Sequence, residues 1–246
     1  MSHVFSILRG KQWRGLLVLV MSILLLPSLA WTQQANFPSI YYPSPPPEQQ
    51  FQVSVGLIQI TPPKELTEEV WVRAPAFDLH ALYGLSPHWS LDGRALSQVI
   101  QNHFSVGARW NHSFGDFAVG AGYDVAYWFG FLEVVDAFDS KAHGWFNYPS
   151  VTVGYNLGKV RLIGKAEAIL DLYHASSVGE NEIATDKNKL VGGSFMVAME
   201  QTFWKQTQLT LGFRATLTKF HWMTWALFST FNQYLFYPEI IIGFIL

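Results

Sequence analysis

The run QNHFSVGARWNHSF (101–114), then GD (115–116), then FAVGAGYDVAYWFGF (117–131) sets the period of this chain. In its first part Phe104, Val106, Ala108, Trp110, His112 and Phe114 alternate with Gln101, His103, Ser105, Gly107, Arg109, Asn111 and Ser113. In its second, Phe117, Val119, Ala121, Tyr123, Val125, Tyr127, Phe129 and Phe131 alternate with Ala118, Gly120, Gly122, Asp124, Ala126, Trp128 and Gly130. A period of two is the signature of a strand with unlike faces, and a two-residue Gly-Asp link between such runs is a hairpin turn.

The same pattern extends in both directions. Hairpins are read at 149–157 with 160–173, turned at Gly158-Lys159, and at 190–203 with 208–219, turned between Trp204 and Thr207. Weaker alternation marks 51–61, 75–85, 89–97 and 236–246. The expectation is an all-β fold of about ten strands, with eight or twelve open because Val70 to Arg73 and Thr224 to Phe231 are also strand-like. Tight links alternate with longer ones at 62–74, 132–147, 174–189 and 220–235; the short link at 98–100 is the exception. Gly192-Gly193 reads as a bulge or a close backbone approach.

Alternation alone does not say which face looks outward. Composition points to the apolar one: 50% of residues are hydrophobic, 16% aromatic and only 14% charged, against roughly 25% charged in soluble domains. The polar faces carry Gly, Ala, Ser and Thr with scattered single charges, which suits a crowded interior better than a wetted surface. The strongest strands exceed the usual length of about five or six residues and match a tilted membrane crossing. Aromatics collect near strand ends (Phe114, Phe117, Tyr127, Phe129, Phe131, Phe203, Trp204, Phe220, Trp222 and Trp225) as interfacial girdles do. Backbone amides facing hydrocarbon require closure. The fold expected is a closed antiparallel transmembrane β-barrel over 51–246.

Residues 1–30 read as a cleavable secretory signal peptide: Arg9, Lys11 and Arg14 precede an apolar run from Leu16 to Leu26, and Ser28-Leu29-Ala30 supplies a small-residue cleavage site. Without them, 13 basic residues face 18 acidic ones, and no basic stripe suggests nucleic acid. Residues 31–50, with Tyr42-Pro43-Ser44-Pro45-Pro46-Pro47, read as a Pro-rich periplasmic linker. The absence of cysteine excludes disulfides, cysteine metal sites and a lipoprotein anchor.

Leader, dyad repeat and last strand together resemble the small bacterial outer-membrane β-barrel class over essentially all of 51–246. Phe236, Pro238, Ile240, Ile242, Phe244 and Leu246 alternate to the terminus, like the signal read by the barrel-assembly machinery, although the chain ends in Leu246 where that signal has an aromatic. The resemblance implies an integral outer-membrane location, outer-membrane lipid and lipopolysaccharide as surroundings, and that machinery as a partner during insertion. It leaves the oligomeric state open.

Polar faces turned inward place Arg94, Arg109, Arg161, Lys165 and Arg214 in the lumen with Asp78, Asp92, Asp124, Glu167, Asp171, Glu200 and Glu239. Five bases against seven acids form a near-balanced network, which must be well hydrogen-bonded to offset ion desolvation. Ten strands leave little more than side-chain room, whereas open aqueous channels appear near sixteen. The reading is a barrel with a structural or surface-exposed role and a lumen plugged by paired charges. A narrow solute or ion channel is the alternative, with the Gly and Ala run on 118–126 leaving a gap beside Arg109 and Lys165. A third reading is a lipid- or peptide-modifying hydrolase at the outer mouth, where Asp78, His80, His103, Ser105, Asp171 and His174 converge. No catalytic, cofactor or metal site is assigned; the eight histidines show no His-x-x-x-His spacing.

Overall fold

Ten antiparallel strands follow one another around a closed ring: β1 (Phe51–Ile60), β2 (Ala76–Gly84), β3 (Trp89–Ser97), β4 (Gln101–Phe114), β5 (Phe117–Val134), β6 (Phe138–Asn156), β7 (Val160–Val178), β8 (Asn181–Trp204), β9 (Thr207–Thr218) and β10 (Leu235–Ile245). The ring is closed by β1 against β10, with Leu57 opposite Ile242 and Ile60 opposite Glu239. The coordinates are a computed structural model, which describes residues 37–66, 75–134, 138–178, 181–204, 207–227 and 233–246. The signal peptide read at 1–30 and the strand-like stretch at 70–73 lie outside the described residues.

The hairpins form where the alternation places them. Phe114 pairs with Phe117 around Gly115-Asp116, and Gly115 and Gly158 take φ of +63° and +84°. Side chains with a Cβ are strained in that left-handed region, which the right-handed twist of the flanking strands requires of a tight turn.

Two differences from the sequence reading concern the longer links. Residues 132–147 and 174–189 are largely strand, not loop: β5 and β6 stay paired to Val134 and Phe138, and β7 and β8 to Val178 and Asn181. Their polar composition hid them, because strands that rise beyond an apolar layer lose the alternation that marks them. The Thr224–Phe231 stretch, strand-like by composition, is over its described part a 3-10 helix, Trp222–Leu227. The pattern of hydroxyl and apolar residues there fits packing inside the ring, with Trp222, Thr224 and Trp225 buried.

Small irregularities re-aim the walls. Ile169 pairs with Gly192 and Leu170 with Leu190, which leaves Val191 as an extra residue. A Cβ on Gly192 would lie 2.3 Å from the Leu217 carbonyl oxygen, so this bulge needs glycine for close approach.

The outside of the ring is apolar and the inside polar, the inverse of a soluble barrel. Val106, Tyr123, Val151, Phe195 and Ile242 are exposed, at 63%, 48%, 59%, 54% and 43%. Their neighbours of opposite parity, such as Asp124, Glu200 and Glu239, are buried. Aromatic and large apolar side chains ring the tight-turn end: Phe51, Trp89, Trp110, Phe114, Phe117, Tyr155, Phe203 and Trp204. Along β5, ten residues separate Phe117 from Tyr127. At the usual rise and barrel tilt this is about 25 Å, the height of an outer-membrane apolar band.

Candidate functional site

Inward parity on adjacent strands brings the charged side chains to one enclosed space. Arg94 on β3 grips Asp78 on β2 with both ends of its guanidinium, Nε donating to Oδ1 and Nη2 to Oδ2, each at 2.8 Å. Asp92 receives His80 Nε2 at 2.8 Å on Oδ1 and pairs with Arg109 through Oδ2. Lys165 Nζ donates to Glu167 Oε2 at 2.7 Å, and Ser194 Oγ reaches the other Glu167 oxygen. Glu239 accepts from Thr216 Oγ1 at 2.7 Å and faces Arg214 Nη1 at 3.4 Å and His221 Nε2 at 3.7 Å. Asp171 pairs with His174, and Asp124 lines the same space. What remains between these groups is a cavity of about 70 Å³, room for a few water molecules.

Glu200 and Arg161 are bound differently: they hydrogen-bond to the chain segment that precedes β1. Glu200 Oε1 accepts the backbone N–H groups of Ile40 at 3.0 Å and Tyr41 at 2.9 Å, and its Oε2 accepts Ser39 Oγ. Arg161 Nη1 donates to the Phe37 carbonyl at 2.8 Å, with its guanidinium carbon 4.2 Å from the Phe37 ring centroid and 4.8 Å from that of Tyr42. Arg109 Nη1 donates to the Ile40 carbonyl at 2.8 Å, and Arg94 Nη2 to the Tyr41 hydroxyl at 2.9 Å. Tyr41 meets the His80 ring edge-on. On β5 and β6, a Cβ at Gly120 would stand 3.0 Å from Pro43, and one at Gly154 would stand 2.6 Å from the Tyr42 ring. A segment that touches β2, β3, β4, β5, β6, β7 and β8 on their inward faces lies within the ring. Residues 37–43, part of the stretch read as a linker, are therefore buried in the lumen. They occupy the gap beside the Gly and Ala run, and Tyr42 Oη donates to the carbonyl of the turn residue Asp116.

The opposite end is filled by residues 220–225, which follow β9. Phe220 stacks on His174 (centroids 4.6 Å, planes 8° apart) and packs against Trp128 and Phe146. Trp222 stacks on His103, and Trp225 occupies the space that a Cβ on Gly130 would take. Phe220, Trp222 and Trp225, expected at an interfacial girdle, are thus inside the ring; an aromatic run serves either surface, and only the path of the chain distinguishes them. Trp128, on the lumen face of β5, is fully buried beneath them.

The hydrolase reading asked for convergence of Asp78, His80, His103, Ser105, Asp171 and His174, and the structure divides them. Asp78 belongs to Arg94, His80 to Asp92, His103 to the Tyr148 hydroxyl at 3.2 Å, and His174 to Asp171. Ser105 lines the central cavity. Ser39 and Ser194 give their hydroxyls to carboxylates, not to an imidazole. Among the described residues no group of three or more His, Cys, Asp or Glu side chains is arranged to hold a metal ion.

Sequence reasoning missed the segment as a site component. The available signal was its density of Phe37, Ile40, Tyr41 and Tyr42, since a solvated spacer has no use for four large apolar side chains.

No protein-family model matches the chain, and no curated protein matches it. Among solved structures it is similar to neisserial surface protein A (NspA), at 12% identity and a TM-score of 0.41 over 80% of this chain and 96% of that one. It is similar to the translocator domain of the autotransporter NalP from Neisseria meningitidis, at 9% identity and 0.42 over 96% and 95%. It is also similar to the CymD monoaromatic hydrocarbon channel, at 10% identity and 0.35 over 80% and 70%.

Proposed function

We propose that the protein is an integral outer-membrane β-barrel with a structural or surface-exposed, non-catalytic role, exported by a cleaved signal peptide and closed to solutes. The observation that carries the reading is a lumen filled from both ends beneath a continuous apolar exterior. The exterior suits outer-membrane lipid and lipopolysaccharide, and the alternating last strand suits the barrel-assembly machinery. The two hairpins that continue past the level of Tyr127, Trp145 and Tyr173, β5–β6 and β7–β8, are the parts offered to the outside. Between the two fillings the paired charges leave room for a few water molecules only, which favours a closed barrel over a narrow channel. Histidines committed to separate carboxylate and tyrosine partners favour a role without catalysis.

Single-channel recording of the purified full chain in planar bilayers tests closure. A silent bilayer, with gel migration that shifts on heating as barrels do, supports the reading. Steady conductance steps would replace it with the channel.

A further inference from the structure

We propose that the lumen wall contains a peptide-binding site, built from Glu200, Arg161, Arg109 and Arg94, and that residues 37–43 are its exchangeable ligand. The ligand class is an extended peptide that presents consecutive backbone N–H groups to a carboxylate, carbonyls to two guanidinium groups and aromatic rings to Arg161. The inference rests on the closed-lumen reading and adds release to it.

Two features carry it. The segment is held through side chains, not by strand pairing: one carboxylate takes Ser39 Oγ and the Ile40 and Tyr41 amides, while Arg109 and Arg161 take the Ile40 and Phe37 carbonyls. This is main-chain recognition, which reads peptide as such, with pockets for alternate side chains. Second, the charges that hold it have alternative partners when it leaves. Arg161 and Glu200 are directly opposite on β7 and β8, close enough for a cross-strand ion pair. Arg109 already pairs with Asp92, and Arg94 with Asp78. Departure therefore strands no charge in the lumen, which is the condition that would otherwise make it prohibitive.

The seat can be locked. The chain has no cysteine, and Pro43 Cβ lies 3.0 Å from the Cβ position at Gly120, so Pro43→Cys with Gly120→Cys allows a disulfide once the segment and β5 part by about 0.5–1 Å and the Asn111 side chain turns aside. The experiment uses the full chain in detergent, oxidised and reduced, with hydrogen exchange followed by mass spectrometry and binding of a labelled peptide with the sequence of residues 37–47. In reduced protein the Ile40 and Tyr41 amides exchange about 100-fold faster than the paired amides of β7 and β8, as a separately opening unit does. Oxidation abolishes that difference, and the labelled peptide binds reduced but not oxidised protein. In the otherwise native chain, Glu200→Gln speeds the two amides a further tenfold or so, because bonds to a charged acceptor are weakened to bonds with a neutral one.

Failure to form the disulfide would overturn both the seating and the closed-lumen reading. A disulfide that forms while the reduced segment exchanges in step with the strands leaves closure intact and overturns release. Peptide that fails to bind, or that binds oxidised and reduced protein alike, overturns the site.

Discussion

Residues 37–43 and 220–225 enter one lumen from opposite ends, the first on a carboxylate and three guanidinium groups, the second on stacked rings. The polar stopper is bound by groups that have alternative partners nearby. Both stoppers contribute to one buried cluster, Ile40, Tyr41 and Tyr42 at one end and Trp222 and Trp225 at the other, but the aromatic one is held by ring packing on Trp128 and Phe146 and not by charged groups with other partners. Holding a segment and building a wall are separate physical problems, and this barrel solves them with different chemistry at its two ends.

The largest expected effect is at the aromatic end. Trp128→Ala removes a fully buried ring between β5 and Phe220 and costs about 3–5 kcal/mol, the usual range for large aromatics in cores. Urea unfolding of detergent-folded protein measures it. A smaller matched pair separates the ends. Gly130→Ala puts a methyl group 2.2 Å from Trp225 Nε1 and costs about 1–3 kcal/mol as overpacking does. Gly154→Ala meets the Tyr42 ring at 2.6 Å, but the segment can yield, so barrel stability falls by less than about 1 kcal/mol while the Ile40 and Tyr41 amides exchange faster. Equal stability losses at Gly130 and Gly154 would erase the distinction between the two stoppers.

The strands were legible because an apolar outside and a polar inside impose a period of two over long runs, as at 101–114 and 117–131. The two turns at Gly115 and Gly158 were legible because only glycine supplies their backbone conformation at no steric cost. Lumen-facing positions followed from parity, so Asp78, Arg94, Lys165 and Glu167 could be placed on one surface, but not which of them touch. Pairing depends on strand register and on side-chain reach, neither of which periodicity contains. The upper parts of β5 to β8 were read as loops because polar Lys141 and His143 face outward there beside buried Ala142, so the apolar-out contrast that marks the lower strands is lost. Residues 37–43 escaped because the contacts that seat them in the barrel are long-range: Ile40 binds Glu200 across 160 residues, and a Pro-rich run looks like a spacer until its partners are known.

The central claim is that the alternate apolar face of the ring meets hydrocarbon. It is tested most directly by a nitroxide spin label on Val151→Cys, a half-height exterior position between Trp145 and Tyr155 on β6, with the full chain reconstituted in liposomes. The label is expected to be relaxed strongly by molecular oxygen and weakly by a water-soluble nickel chelate, as in a bilayer interior. Strong relaxation by the chelate and weak relaxation by oxygen would place Val151 in water and contradict the account.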